Sequence, residues 1–205
     1  MTTSNRFNEF KLRYEELKTR FIPELSEDLD YSDEQLDDLR AFRVLCHSEI
    51  EAYLEDRARE TSSQALRKFQ ETGNANKVLL CLLAFSDTQW EGPPSSIQNL
   101  QNSVLYTIRS RIQKAVKIFN SKITDNHGIR EKNLLQILCP IGIQFDELDN
   151  TWVNSMDSYG KKRGEVAHTS FRTQQVIDPA TEISTTDYLV DELKKVDFLL
   201  NSLNS

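Results

Sequence analysis

The sequence predicts an all-α protein. Glycine and proline, the residues that most often interrupt helices, number only six and five in the 205 residues. Apolar residues recur three or four positions apart along most of the chain, as they do on one face of a helix. The alternation of apolar and polar residues that predicts strands is nearly absent. A chain of this length suits one helical domain, alone or with appended segments.

Breakers and caps predict the first two helices. Spaced apolar residues predict a helix over residues 6–20, and Pro23 ends or interrupts it. Ser32 stands three residues before Gln35 and begins a capping box. No Gly or Pro follows until Gly73, so one long helix is predicted over residues 33–72. Its apolar stripe comprises Leu39, Phe42, Cys46, Ile50 and Tyr53.

Five further helices are predicted from apolar spacing and turn residues. They cover residues 76–85, 97–119, 130–138 and 151–168, followed by a last helix that residues 184–187 cap. Residues 90–96 and 125–128 read as a loop and a turn. Residues 169–183, which include Pro179, are expected to be irregular.

The charge is negative overall but unevenly distributed. A net charge of −7 argues against a protein that coats nucleic acid nonspecifically, because such binding depends on Lys and Arg. Residues 24–38 contain eight acids and no base, whereas residues 109–122 contain five bases and no acid. Each run is either a solvated helix face or a binding surface. The basic run would attract phosphate, and the acidic run would dock a basic partner or shield a cleft.

Compartment and metal use follow from the cysteines and the apolar runs. The longest apolar run, residues 78–85, is too short to cross a bilayer, and the first residues lack a signal-peptide pattern. We therefore expect a cytoplasmic protein with no membrane partner. Cys46, Cys81 and Cys139 are isolated among apolar residues, which predicts buried free thiols. Because no zinc-ligand spacing occurs, no metal or cofactor is expected.

Three histidines are available for acid–base chemistry. His47 lies beside the long helix's stripe and is interpreted as a surface or satisfied core residue. His127 lies in an Asn-His-Gly turn and is interpreted as structural. His168 follows Arg163 by five positions near a predicted helix end. There it is either a catalytic group or a residue favourable to the helix dipole.

The ordered motifs around this pair resemble the HEPN superfamily, in particular its RiboL-PSP-HEPN-like branch. The signature of the superfamily is Arg, four to six residues, then His, and Arg163–His168 matches it with four. The resemblance extends over about residues 35–200. It also rests on Glu51-Ala52-Tyr53 and Trp152 and on two longer segments, residues 126–135 (NHGIREKNLL) and 140–143 (PIGI). One departure is Gly164, where many active HEPN enzymes have Asn, Asp or His.

The resemblance implies a HEPN-like helical bundle with additional flanking helices and metal-independent RNA cleavage. We expect an N-terminal helical extension at residues 1–31 and the HEPN-like domain at residues 32–205. Arg163 and His168 are the implied catalytic pair, with RNA as substrate and a toxin or antiviral defence role. The supporting and RNA-contacting candidates are Glu51, Glu165, Lys161 and Lys162.

Helix geometry and the family together predict a homodimer. Five helical positions separate two side chains by about 140° and ~7.5 Å, so one Arg–His pair does not converge on a single atom. HEPN proteins resemble one another in building a composite cleft across a twofold axis. An antitoxin or regulatory protein is a further possible partner. Two alternatives stay open: a non-catalytic HEPN domain that binds RNA or protein, and a helical protein in which Arg163 and His168 are structural.

Overall fold

The computed structural model describes residues 2–26, 30–86, 96, 107–168 and 176–203, with only the backbone described at 167 and 168. This part of the chain is an all-helical bundle and contains no strand, which confirms the predicted fold class. It has seven α-helices: α1 (Asn5–Phe21), α2 (Asp33–Thr72), α3 (Lys77–Phe85), α4 (Ile108–Thr124), α5 (Glu131–Leu138), α6 (Asn150–His168) and α7 (Pro179–Ser202). Two short 3₁₀ helices, Cys139–Ile141 and Phe145–Glu147, connect α5 to α6.

Helix α2 is the central element of the fold. Its 40 residues span about 60 Å and contact all six other helices. The predicted capping box is present, since the Ser32 side chain accepts from the Gln35 backbone N–H and Gln35 caps Ser32 in return. Gly73 ends the helix in the left-handed region at φ +77°. Every residue of the predicted stripe is at most 1 % exposed, so that stripe is confirmed.

Helix α1 is joined to the bundle by buried aromatic rings and a polar cluster. Phe10 packs on Tyr53, with ring centroids 5.2 Å apart. The fully buried Asp197 of α7 accepts hydrogen bonds from the Ser4 backbone and hydroxyl at 2.7 Å. Asp197 also accepts from the Tyr53 hydroxyl and from Arg57 Nε of α2. This carboxylate therefore connects α1, α2 and α7. The predicted domain boundary at residue 31 stays a prediction.

The start of the last helix corrects the sequence analysis. Helix α7 begins at Pro179, not after residues 184–187, so residues 179–183 are helical and not irregular. Asp178 is the N-cap and accepts a hydrogen bond from the Thr181 backbone N–H at 2.9 Å, and proline is favourable at the first helical position. Thr186 lies buried within the helix and donates to the Glu182 carbonyl, which satisfies its hydroxyl. The predicted irregular residues 169–175 lie outside the described residues.

The basic helix and the thiols also differ in detail from expectation. Helix α4 continues to Thr124, beyond the predicted end at residue 119, because Ile123 extends its buried face. The predicted helical residues 97–106 and the predicted loop at 90–95 lie outside the described part.

The three cysteines are free; Cys46 is buried, whereas Cys81 and Cys139 are only partly buried. None of the described helices combines the length and apolar character needed to cross a bilayer.

Two glycines of α6 occupy contrasting environments and give a matched prediction. A Cβ at Gly160 would lie 2.8 Å from Arg130 Cγ, whereas a Cβ at Gly164 would meet nothing within 4 Å. Gly164→Ala should therefore stabilise the protein by about 1 kcal/mol through helix propensity, which raises Tm by ~2–4 °C. Gly160→Ala should lower Tm, because the close contact outweighs the same propensity gain. Thermal denaturation followed by circular dichroism tests both, and equal shifts would contradict the assigned environments.

Candidate active site

The turn between α4 and α5 is attached to the centre of α2. Asn126 donates from Nδ2 to Glu55 Oε1 at 3.0 Å and to the Gly128 carbonyl at 3.1 Å. Its Oδ1 accepts from Asn133 Nδ2 at 2.9 Å. Gly128 has φ +141°, a conformation that side-chain-bearing residues rarely adopt. The buried Asn126 thus fixes the Asn-His-Gly turn against α2.

The next residues attach the same turn to α6. Arg130 Nε donates to Asp157 Oδ1 at 3.0 Å, and the absent side chain of Gly160 allows this close approach. Lys161 is bound to the other oxygen of Asp157 at 2.6 Å. These hydrogen bonds, first from Lys161 and then from Arg130, lower the pKa of Asp157. The motifs that carry the family resemblance therefore meet in space, where α2, the turn and α6 come together.

Arg163 lies partly buried on α6 beside α2. Its Nε is buried without a hydrogen-bond partner, and the guanidinium forms no ion pair within the described part of the chain. Its positive charge acts on both Glu51 and His47 of α2. The guanidinium therefore places its positive charge beside the face of α2 that carries His47 and Glu51.

Glu51 is a half-buried carboxyl group in a mixed electrostatic environment. Burial raises its pKa, whereas a hydrogen bond from the Gly128 backbone and the charge of Arg163 oppose that rise. The neighbouring Glu55 carboxylate adds to the rise. Glu51 therefore lies between the turn and Arg163. This is the position that a residue supporting Arg163 would occupy.

His47 lies one helical turn before Glu51 and is only 2 % exposed. Burial, assisted by the Arg163 charge, lowers its pKa to about 4. Its Nδ1 lies 3.6 Å from Glu51 Oε2 and has no hydrogen-bond partner in the described structure. Because the imidazole is neutral at neutral pH, this contact is not an ion pair. The sequence analysis interpreted His47 as a surface or satisfied core histidine and did not assign it to the site. The signal that could have found it is its spacing of four from Glu51, which puts both side chains on one helix face.

The structure does not bring all predicted site residues together. Arg163 and Glu51 share one electrostatic environment, and Lys161 is held by Asp157. Lys162 is exposed at the rim of a polar cleft of about 360 Å³ between α6 and α7, and Glu165 is exposed. His168 is the last residue of α6, and its side chain lies outside the described part. The predicted catalytic role of this set stays a prediction.

The buried His47 predicts a loss of stability on mild acidification. The folded pKa of about 4 lies below the ordinary 6.5, so the unfolded chain binds the proton more readily between these values. The burial of His47 should thus lower the free energy of unfolding by about 2 kcal/mol when the pH falls from 7.5 to 5.0. Urea denaturation at both pH values should show a smaller pH dependence for His47→Gln than for the wild type. The comparison is needed because Glu51, whose pKa is raised, acts in the opposite direction.

Substitution of the exposed His127 provides the matched control for this measurement. His127→Gln makes the same change of side chain at an exposed position, so a difference between the two variants reports the burial of His47. Identical pH dependence in the wild type and His47→Gln would show that His47 is not buried in its neutral form.

The fold and the site define the class of protein: a helical bundle with an Arg-containing motif helix against a long central helix, which is the HEPN class. The RiboL-PSP-HEPN family model matches residues 8–201, and the chain belongs to this family. Comparison with curated proteins and with solved structures gave no match. The matched region includes most of α1, in addition to the helices that carry the motif.

Proposed function

We propose that this protein is a metal-independent endoribonuclease of the HEPN type, with Arg163 and His168 as its catalytic pair. The observation that carries the proposal is the Arg163 guanidinium, which has a buried, unpartnered Nε and no ion pair in the described structure. A buried donor without a partner is rare in folded proteins and calls for an explanation. A phosphate group of bound RNA would supply the missing acceptor and the negative charge.

The proposed reaction uses the ribose 2′-hydroxyl as an internal nucleophile. His168 takes the proton from this hydroxyl as general base, or gives a proton to the leaving O5′ as general acid, and solvent exchanges the other proton. The O2′–P bond forms, the P–O5′ bond breaks, and the products carry a 2′,3′-cyclic phosphate and a 5′-hydroxyl. Arg163 stabilises the negative charge that develops on the phosphoryl oxygens. Since the nucleophile belongs to the substrate, the mechanism needs no metal ion to activate water.

The supporting residues have distinct proposed roles. Glu51 positions Arg163 from α2, and Glu165 serves as the polar partner that position 164 lacks. Lys162, which is exposed, contacts a substrate phosphate. Lys161 is predicted to do the same, but Asp157 must release it first. We propose a cytoplasmic homodimer whose motif helices form one cleft, acting as a toxin or antiviral defence effector that an antitoxin or regulatory protein restrains.

Gly164 favours a second candidate function, a non-catalytic HEPN domain that binds RNA or a partner protein. A polar side chain follows the motif Arg in many active HEPN enzymes, and here that side chain is missing. The space at residue 164 is open, so packing does not require glycine there.

Cleavage of mixed RNA in a chelator tests the proposed function. The purified wild type should cleave RNA in excess EDTA and leave 2′,3′-cyclic phosphate ends. It should not cleave the same sequence made with 2′-deoxyribose. His168→Ala should lower the rate by at least a hundredfold without changing the circular dichroism spectrum. RNA binding without cleavage by the wild type would favour the second candidate, and cleavage abolished by EDTA would contradict the mechanism.

A further inference from the structure

Helix α4 carries a concentrated positive charge that the catalytic pair does not use. Its 17 residues contain five bases and no acid, in a chain with net charge −7. Four of the bases are exposed and one is partly buried; they are Arg109, Arg111, Lys114, Lys117 and Lys122. The opposite face of the helix, which includes Ile112 and Phe119, is buried in the bundle. The bases therefore cover the solvent side of α4.

These charges are not neutralised within the described part of the protein. None of the five bases forms an ion pair with a described carboxylate, and Arg109 donates only to the Gln70 carbonyl, at 3.4 Å. Several bases elsewhere do pair with nearby acids: Lys11 pairs with Glu15, and Lys195 with Glu192. A solvated helix face of the ordinary kind mixes both signs of charge. The solvent side of α4 instead maintains a positive potential on an acidic protein.

Helix α4 also leads directly to the candidate site. It runs antiparallel to the second half of α2, because Arg109 contacts Gln70 and Thr124 accepts a hydrogen bond from Arg59 Nη1 at 3.3 Å. The turn that follows α4 contacts Glu55 and then Glu51, beside Arg163. The distance along α2 from Glu51 to Gln70 is about 28 Å. The end of α4 that carries Lys122 thus lies nearest to the site, and the rest of the helix extends away from it.

We propose that the exposed side of α4 binds the phosphate backbone of single-stranded RNA that extends beyond the scissile bond. The proposal rests on the proposed function and adds to it a substrate-length requirement. Unpaired Lys and Arg side chains along one helix match the regular negative charge of an RNA strand, without reading its sequence. The surface provides affinity for long substrates and contributes nothing to the bond-breaking step.

Matched pairs of lysine substitutions test the proposal. Lys114→Gln/Lys117→Gln removes two exposed charges from α4. Lys77→Gln/Lys194→Gln removes two exposed charges from α3 and α7, where neither lysine forms an ion pair with a described residue. Both doubles are made in the His168→Ala background, and anisotropy of a labelled 20-nucleotide RNA reports binding. The α4 double should weaken binding more than fivefold at low salt and reduce the slope of log Kd against log salt by about 1.4. The control double should change either quantity little.

Cleavage by otherwise wild-type enzymes separates this inference from the proposed function. For the 20-nucleotide RNA, the α4 double should raise KM with kcat unchanged, and for a dinucleotide it should match the wild type. Equal effects of the two doubles, or none from the α4 double, would overturn the α4 assignment while leaving a cleaving enzyme intact. If the wild type neither binds nor cleaves RNA, the proposed function and this inference both fail.

Discussion

Replacing Arg163 by lysine should lower kcat/KM for RNA cleavage by at least a hundredfold, although the positive charge is retained. A guanidinium offers two parallel donors to a phosphate, whereas an ammonium group is a compact point charge on a flexible stem. Arg163→Ala should lose still more, in the range of about a thousandfold that follows removal of a key transition-state donor. Initial rates on a fluorogenic RNA in EDTA measure both variants.

The adjacent Lys162 supplies a matched comparison for Arg163. It carries the same charge on the same helix but is exposed to solvent. Lys162→Gln removes one exposed phosphate contact and should lower kcat/KM by less than about fivefold, since an exposed charge is well screened. Arg163→Ala should not lose stability, because it removes a buried donor that has no partner. Near wild-type activity of Arg163→Lys, or equal losses from Lys162→Gln and Arg163→Ala, would contradict the role assigned to the guanidinium.

A heterodimer assembled from two inactive variants should be active. If the cleft contains two symmetry-related sites, each with its arginine from one protomer and its histidine from the partner, a heterodimer of Arg163→Ala with His168→Ala contains one intact site. Co-expression with two different affinity tags isolates this heterodimer. Its activity should be about half that of the wild type, because one of two symmetry-related sites is complete.

The tagged homodimers of each variant provide the baseline for this experiment, and a doubly tagged wild-type dimer provides the maximum. Both variant homodimers should be inactive. An inactive heterodimer beside an active wild-type dimer would place both catalytic groups within one protomer or require all four in one cleft. A monomeric wild type that cleaves RNA, shown by light scattering, would rule out the composite site.

Local signals in the sequence were sufficient for most of the helices. The capping box at Ser32 and the glycine at residue 73 predict both ends of α2, because each acts through bonds within a few residues. The predicted start of α7 was wrong for a related reason. A run of Ser and Thr resembles a cap, but here Asp178 and Pro179 cap the helix earlier, and the hydroxyl of Thr186 bonds to its own helix.

Contacts between distant segments could not be predicted from spacing. Asn126 reaches Glu55 across 71 positions, and this contact places the turn beside the site. The burial of His47 depends on α6 covering that face of α2, which no pattern within α2 indicates. The family resemblance indicated Arg163 and Glu51, and the structure adds the neutral imidazole beside them.

The long central helix determines how durable the site is. His47 and Glu51 belong to the one helix on which every other described helix rests, so their backbone can open only when most of the domain opens with it. Amide hydrogens along the middle of α2 should thus be among the last to exchange with deuterium. The α2 side of the candidate site accordingly has the full thermodynamic stability of the fold, and any movement at the site must come from the elements around it.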